Sequence, residues 1–287
     1  MERRMFLAGG LSVIALSARA QTAALPTPNA ASPAPRPEAG KIDLVEGDVR
    51  IVDPNRQLRR PAVGDVVYQG DSIVTGKDSE MHMNMDDGGY IGVRPDTRMR
   101  IAVFKAEGGA DDRSVIGLLA GSFRSVTGWI GKLGGNHYRI NTPTATIGVR
   151  GTDHEPLVIP PGGTGGDPGT YDRVHTGETQ LRTPQGAVSV KPNQAGFTPH
   201  GGGGQPRVLE QIPSTFRASK HDDRFQGLHD RLQQQIGQRQ EQRRQAIQQH
   251  RAGTAEAGAS KATEHARPEG EKGARPQRGP RAHGHRK

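Results

Sequence analysis

Between residues 41 and 199 apolar and polar side chains alternate in short runs, with Gly, Asp and Asn between them about every ten residues. That spacing predicts an all-β domain of short strands. Ile42 to Val52 opens the series, followed by Val66 to Tyr68, Ser72 to Val74, Glu80 to Met85 and Tyr90 to Val93. Met99 to Phe104, Val115 to Leu119, Ser122 to Thr127 and Tyr138 to Ile140 continue it. In Glu80 to Met85 the methionines 81, 83 and 85 share one parity. Beside the turn Asp86-Asp87-Gly88-Gly89 this is the pattern of a buried strand face rather than of a soft-metal site. Gly47-Asp48, Gly64-Asp65 and Gly70-Asp71 form a loose repeat of corners, where Gly supplies the turn and Asp accepts from neighbouring N–H groups. Calcium binding would need a denser set of ligands in one loop.

The most informative stretch is Asn141 to Glu155, which reads as strand, corner, strand. Thr144, Thr146 and Gly148 alternate with Ala145, Ile147 and Val149, the period of a strand with one buried face. Pro143 suits a strand start, where its missing N–H does least harm. Gly151 opens backbone conformations closed to other residues, and Thr152 and Asp153 can bond nearby main chain, so the corner falls there.

The run Thr142-Pro143-x-Ala145-x-x-x-Val149-Arg150-Gly151-Thr152-x-x-Glu155 resembles the signature of FecR-type domains, β-rich modules of the bacterial envelope. The likeness extends over about 41–199. It takes in Gly47-Asp48-Val49, Gly64-Asp65 through Gly76, Leu119-Ala120-Gly121-Ser122-Phe123, Val174 to Glu178, Val188-Ser189-Val190 and Gln194-Ala195-Gly196. The Gly- and Pro-rich insertion from Pro160 to Gly169 departs from it and reads as a surface loop. The resemblance implies a solenoid-like fold and a structural role for the signature residues. Periodicity alone leaves two shapes open, a β-solenoid-like roll and a twisted sandwich.

The flanks differ in texture. Residues 1–20 have the parts of a signal peptide: Arg3 and Arg4, an apolar run from Met5 to Leu16, and Ala18-Arg19-Ala20 before Gln21. Arg3-Arg4-Met5-Phe6-Leu7 fits a twin-arginine route, and a general secretory signal fits as well. The expected mature protein is periplasmic or secreted, without a transmembrane helix. Residues 21–40 are a Pro/Ala-rich linker and 200–221 a Gly-rich one. Residues 222–250 are Gln- and Arg-rich with Phe225, Leu228, Leu232 and Ile236 at helical spacing, an exposed amphipathic helix that docks weakly or pairs with a second helix. Residues 251–287 lack periodicity and read as a disordered basic tail.

Composition changes this picture in two places. With no cysteine among 287 residues, disulfides, iron–sulfur clusters and thiol catalysis are excluded. The net charge of +9 is unevenly placed: 17 Lys+Arg and 9 Asp+Glu lie in residues 201–287, against 22 and 21 in residues 1–200. The β-domain is therefore near neutral and the tail is basic. Such a tail can contact anionic lipid or acidic polysaccharide. After Phe225 it has no aromatic to stack on bases, so no specific nucleic-acid binding is expected.

For chemistry the first place to look is Asp153-His154-Glu155, where carboxylate and imidazole could ligate metal or relay protons. Neighbours on a strand face opposite ways, so Asp153 and Glu155 can converge while His154 points away. No phosphate-binding loop, His-Glu-x-x-His or Gly-x-Ser-x-Gly elbow is present. The expectation is a structural corner with no catalytic, metal or cofactor residue. The chain then reads as a non-enzymatic envelope module that binds a protein or a cell-wall polymer. The resemblance implies an alternative, a periplasmic sensor and regulator in sigma-factor or iron-uptake signalling. That activity needs a membrane span and a cytoplasmic helical domain ahead of the β-domain, where only residues 1–20 precede the linker. An exported hydrolase using Asp153 and Glu155 is a third reading.

Overall fold

The computed structural model describes residues 36–134, 136–201, 204–216 and 218–238, with six further helical residues between 241 and 248. The signal peptide, most of the first linker and the basic tail lie outside the described residues.

Fifteen strands form one open, mostly antiparallel sheet. They are β1 Glu38–Glu46, β2 Val49–Val52, β3 Leu58–Arg59, β4 Val66–Tyr68, β5 Ser72–Thr75, β6 Glu80–Met85, β7 Tyr90–Val93 and β8 Arg98–Lys105. β9 Arg113–Val126, β10 Tyr138–Asn141, β11 Thr146–Ile159, β12 Gly169–Thr183, β13 Gly186–Val190, β14 Gln194–Pro199 and β15 Arg207–Val208 complete it. A helix, α1, follows over 228–238. The expected runs all contain strands, but the first, Ile42 to Val52, is broken into β1 and β2 at Gly47 (φ +76), and two later pairs are fused. Val115 to Leu119 and Ser122 to Thr127 belong to one strand, β9, because Gly121 bends the chain (φ +77) without ending its ladders. The corner at Gly151 (φ +59) is likewise a bulge inside β11, where the register with β12 slips between Arg150 and Asp153.

β9 organises the sheet. Its first half pairs with β8 and, in parallel, with β10. Its second half pairs with β7 and with β11. One limb, β8-β5-β2-β3, and another, β7-β6-β1-β4, therefore leave the same strand. Their inward residues meet in one core that includes Ile51, Ile73, Met99 and Ile101 from the first and Ile42, Met81, Met83 and Ile91 from the second. The third limb, β10 to β15, adds Ile140, Ile147, Val149 and Leu181. Of the two shapes expected, this is the folded sheet: a coil of stacked turns would run on parallel ladders, and among the described strands only β9 and β10 pair that way.

The Gly-Asp corners behave as turns. Asp65 accepts from Ala62 N–H at 2.9 Å and Asp71 from Tyr68 N–H at 3.2 Å. The signature Thr142 closes the β10–β11 turn, its Oγ1 accepting from Ala145 N–H at 3.0 Å and bonding Thr170 Oγ1 at 2.7 Å.

The C-terminal segment adds two small clusters outside the main core. Phe216 packs with Ile159, Tyr171 and Phe197, and Phe225 with Tyr90 and Val126, flanked by Leu228 and Leu232 of α1. The apolar stripe of the helix thus docks on the sheet rather than on a second helix. The stretch expected to be a free linker up to 221 is tied down by β15 and Phe216.

The bend in β9 leaves no room for a side chain. A Cβ at position 121 would lie 2.4 Å from Thr97 Oγ1 and 2.6 Å from Asp96 O. Gly121→Ala should lower the unfolding free energy by about 1–3 kcal/mol in urea titration. Gly148→Ala, whose Cβ would approach nothing closer than 3.9 Å, should stay within about 0.5 kcal/mol of wild type.

Candidate functional site

Strand parity builds a polar face opposite the core. On β6, Met81, Met83 and Met85 point inward, so Glu80 and His82 point to the other side. β7 sends Ile91 and Val93 inward and presents Tyr90, Gly92 and Arg94. β9 adds Arg124 and Val126, and β11 adds Asp153 and Glu155. Register aligns His82 with Gly92 and Gly92 with Arg124 across three strands.

Guanidinium groups organise this face. Arg94, 4% exposed, donates from Nε to Glu155 at 3.3 Å, from Nη1 to Glu80 at 3.0 Å and from Nη2 to Asp222 at 2.5 Å. Arg124 grips Asp153 with two bonds, Nε to Oδ1 at 2.9 Å and Nη2 to Oδ2 at 2.8 Å. His82 bridges Glu80 at 2.7 Å and Tyr90 Oη at 2.9 Å, while the Tyr90 hydroxyl donates to Asp43 at 2.9 Å. Burial alone would raise the Glu80 carboxyl, but hydrogen bonds from His82 and Ser219 and the charge of Arg94 outweigh it and hold the group at about 2. A cleft of about 900 Å³ opens beside Arg94, Glu80 and Glu155, walled by Pro160 and Gly163 to Gly165 and by Thr215, Ala218, Ser219 and Lys220.

The C-terminal segment covers the face. The Phe225 ring lies over Gly92, where a Cβ would come within 2.7 Å of it. Around that ring stand His82 at 5.6 Å, Tyr90 at 5.4 Å and the Arg124 guanidinium at 4.7 Å. Ser219 donates to Glu80, Lys220 and His221 meet Glu46, and Arg224 donates to Asp43 at 2.6 Å.

The three residues singled out from the sequence fall on two sides of β11. Asp153 and Glu155 lie on the polar face, each held by an arginine. His154 is fully buried on the other side, its Nδ1 donating to Asp172 at 2.8 Å, and Asp172 accepts from Thr179 Oγ1 at 2.5 Å. His154 Nε2 has no partner. A proton relay needs access to a substrate, and this chain of groups is sealed. Among the described residues no set of three or more His, Asp and Glu side chains is arranged to hold a metal. Of the signature residues, Ala145 and Val149 are buried, Thr152 N–H donates to Thr127 Oγ1 at 2.9 Å, and Arg150 is exposed. Sequence reasoning missed Glu80, Arg94, Arg124 and Phe225. The parity of Glu80 and His82 against the methionines was the available signal for part of the face. Nothing in sequence spacing brings Asp222 and Phe225 to it.

Residues 71–163 match the family model described as FecR protein. Among solved structures, two crystal structures of a candidate anti-sigma factor from Parabacteroides distasonis align at 15% identity and a TM-score of 0.39. They cover 50% of this chain, which spans 60% of theirs. A cell surface anchoring domain aligns at 24% identity and a TM-score of 0.21, over 21% of this chain and 80% of its own. No curated protein matches. Among the described residues no helix is long and apolar enough to cross a membrane.

The Glu80 carboxyl sits at about 2 in the folded chain, against an ordinary value of 4.5. Because its folded value is depressed, its contribution is present above pH 4.5 and lost as pH falls toward 2. Glu80→Gln should therefore cost on the order of 2–3 kcal/mol at pH 6, and the gap from wild type should narrow to about 1 kcal/mol at pH 2.5 and close only as pH falls through 2, read from urea unfolding at each pH.

Proposed function

We infer, from the FecR-type domain that this protein carries over residues 71–163, that it acts as the non-catalytic, partner-binding part of a FecR-type regulator in the bacterial periplasm. The family match is the observation that carries the reading. It spans β6, β7, β9 and all of β11, so Glu80, Arg94, Arg124, Asp153 and Glu155 lie inside the matched region, while Asp43 and Glu46 of β1 and the C-terminal cover lie outside it. A regulator of this kind receives a signal from a protein on the outer side of the cell and changes the activity of a sigma factor.

The match supports this role more directly than the cell-wall reading, because nothing in the face is suited to a polymer in particular. Its two arginines are engaged by carboxylates of the same face rather than offered to a repeating anion. A hydrolytic role has less support still. Asp153 and Glu155, the carboxylates it would use, are both engaged by arginines, the half-buried Arg124 and the buried Arg94.

Deletion of the gene in its native host, followed by transcript profiling with and without complementation, should change a small, discrete set of promoters by at least fivefold. Unchanged transcripts, together with co-sedimentation of the purified protein with cell-wall polymer, would instead favour the structural reading.

A further inference from the structure

The segment after β15 is attached to the sheet in an unusual way. Leu209 N–H still donates to Ala195 O in the sheet. From Pro213 onward the described backbone bonds close within the segment: Phe216 to Pro213, Asp222 to Ser219, Arg224 to His221, Gln226 to Asp223 and Arg231 to Gly227. Side chains make the attachment. Phe225 fills the hollow over Gly92, Asp222 reaches Arg94, and Lys220 and Arg224 meet Glu46 and Asp43 on β1.

The face underneath is complete without this cover. Arg94 keeps Glu80 and Glu155, Arg124 keeps both bonds to Asp153, and His82 keeps Glu80 and Tyr90. Removing the segment strands no buried charge, so the cost that normally locks a buried ion pair in place is absent. The face also carries a readable preference. Its rim and floor hold the carboxylates of Asp43, Glu46, Glu80, Asp153 and Glu155 against two guanidiniums. An occupant must bring cationic flanks, one carboxylate for Arg94 and a flat ring for the hollow, and Lys220 to Phe225 supplies that set.

Resting on the reading of the domain as a partner-binding module, we propose that this face is a peptide-recognition groove and that residues 219–225 are its built-in, displaceable occupant. The partner it fits is a protein segment with basic residues around a carboxylate placed three positions before an aromatic. A tethered occupant is present at roughly millimolar effective concentration. The groove therefore opens only to a partner that binds tightly or is itself held nearby.

The test uses full-length chains and a fluorescein-labelled synthetic peptide with the sequence of residues 214–238, read by anisotropy. Phe225→Ala, whose own cover is loosened, should bind the peptide at least tenfold tighter than wild type. The same peptide with its phenylalanine replaced by alanine should lose at least tenfold. Gly92→Val, which fills the hollow, should expose residues 219–225 to protease yet fail to bind the peptide. Equal binding by wild type and Phe225→Ala, or full affinity of the peptide without its ring, overturns the proposal. Loss of the cooperative melt of the β-domain in Phe225→Ala also overturns it, since the segment would then be an integral part of the fold. A wild-type dimer that exchanges these segments replaces the foreign partner with a second copy and overturns that assignment. These outcomes are separable from the transcript result: a permanently covered domain can still regulate promoters, and a peptide groove can exist in a chain that regulates none.

Discussion

A β-strand has two hydrogen-bonding edges, and β9 divides each of them between two neighbours. Four strands can share fourteen residues only if the strand is long, bends in the middle and keeps pairing through the bend. Gly121 meets the third condition, since its positive φ turns the chain while Ala120 still faces Arg98 and Gly121 faces Val158. The folding of one limb over another, and so the main core, follows from this arrangement. β10 wedges between β9 and β11 at one end, which forces β11 to change partners along its length. The bulge at Gly151 is where that change happens, and Val149, Arg150, Gly151 and Thr152 of the signature lie at it.

The polar face follows from the same geometry. Once the methionines of β6 and the aliphatics of β7 are committed to the core, parity sends Glu80, His82 and Arg94 to the other side, and β9 and β11 supply Arg124, Asp153 and Glu155 beside them. Buried ions are expensive unless each is paired and hydrogen-bonded. Here the pairs run across strands far apart in sequence, so the face assembles only once β6, β7, β9 and β11 have come together. Elsewhere in the fold burial is less well compensated. Asp87 accepts from Gly89 N–H, but its second oxygen has no partner and burial pushes the carboxyl up to about 6. Because its folded value is raised, whatever it contributes is present below pH 3.8 and lost as pH rises through 6, the reverse of Glu80.

Much of the strand inventory was legible in the sequence because alternation and turn residues are local properties. Glu80 to Met85 and Tyr90 to Val93 were read with the bounds they have in the structure. The mergers in β9 and β11 were not, because glycine in a positive-φ bend looks the same in sequence whether it ends a strand or bulges within one. The run resembling the FecR-type signature was readable for the opposite reason, being contiguous in the sequence. The face was only half legible. Which side Glu80, His82, Asp153 and Glu155 would take follows from parity, but their arginine partners come from register, and the apolar stripe of Phe225 to Ile236 gave no hint of the surface it would cover.

Gly92 and Phe225 occupy a single volume between them. A glycine in the middle of a strand is ordinarily a weak choice, and here it is the absence of a side chain that the ring needs. The two positions are therefore coupled across 133 residues of chain: a side chain at 92 and the ring at 225 compete for one space, so what either position tolerates is set by what stands at the other.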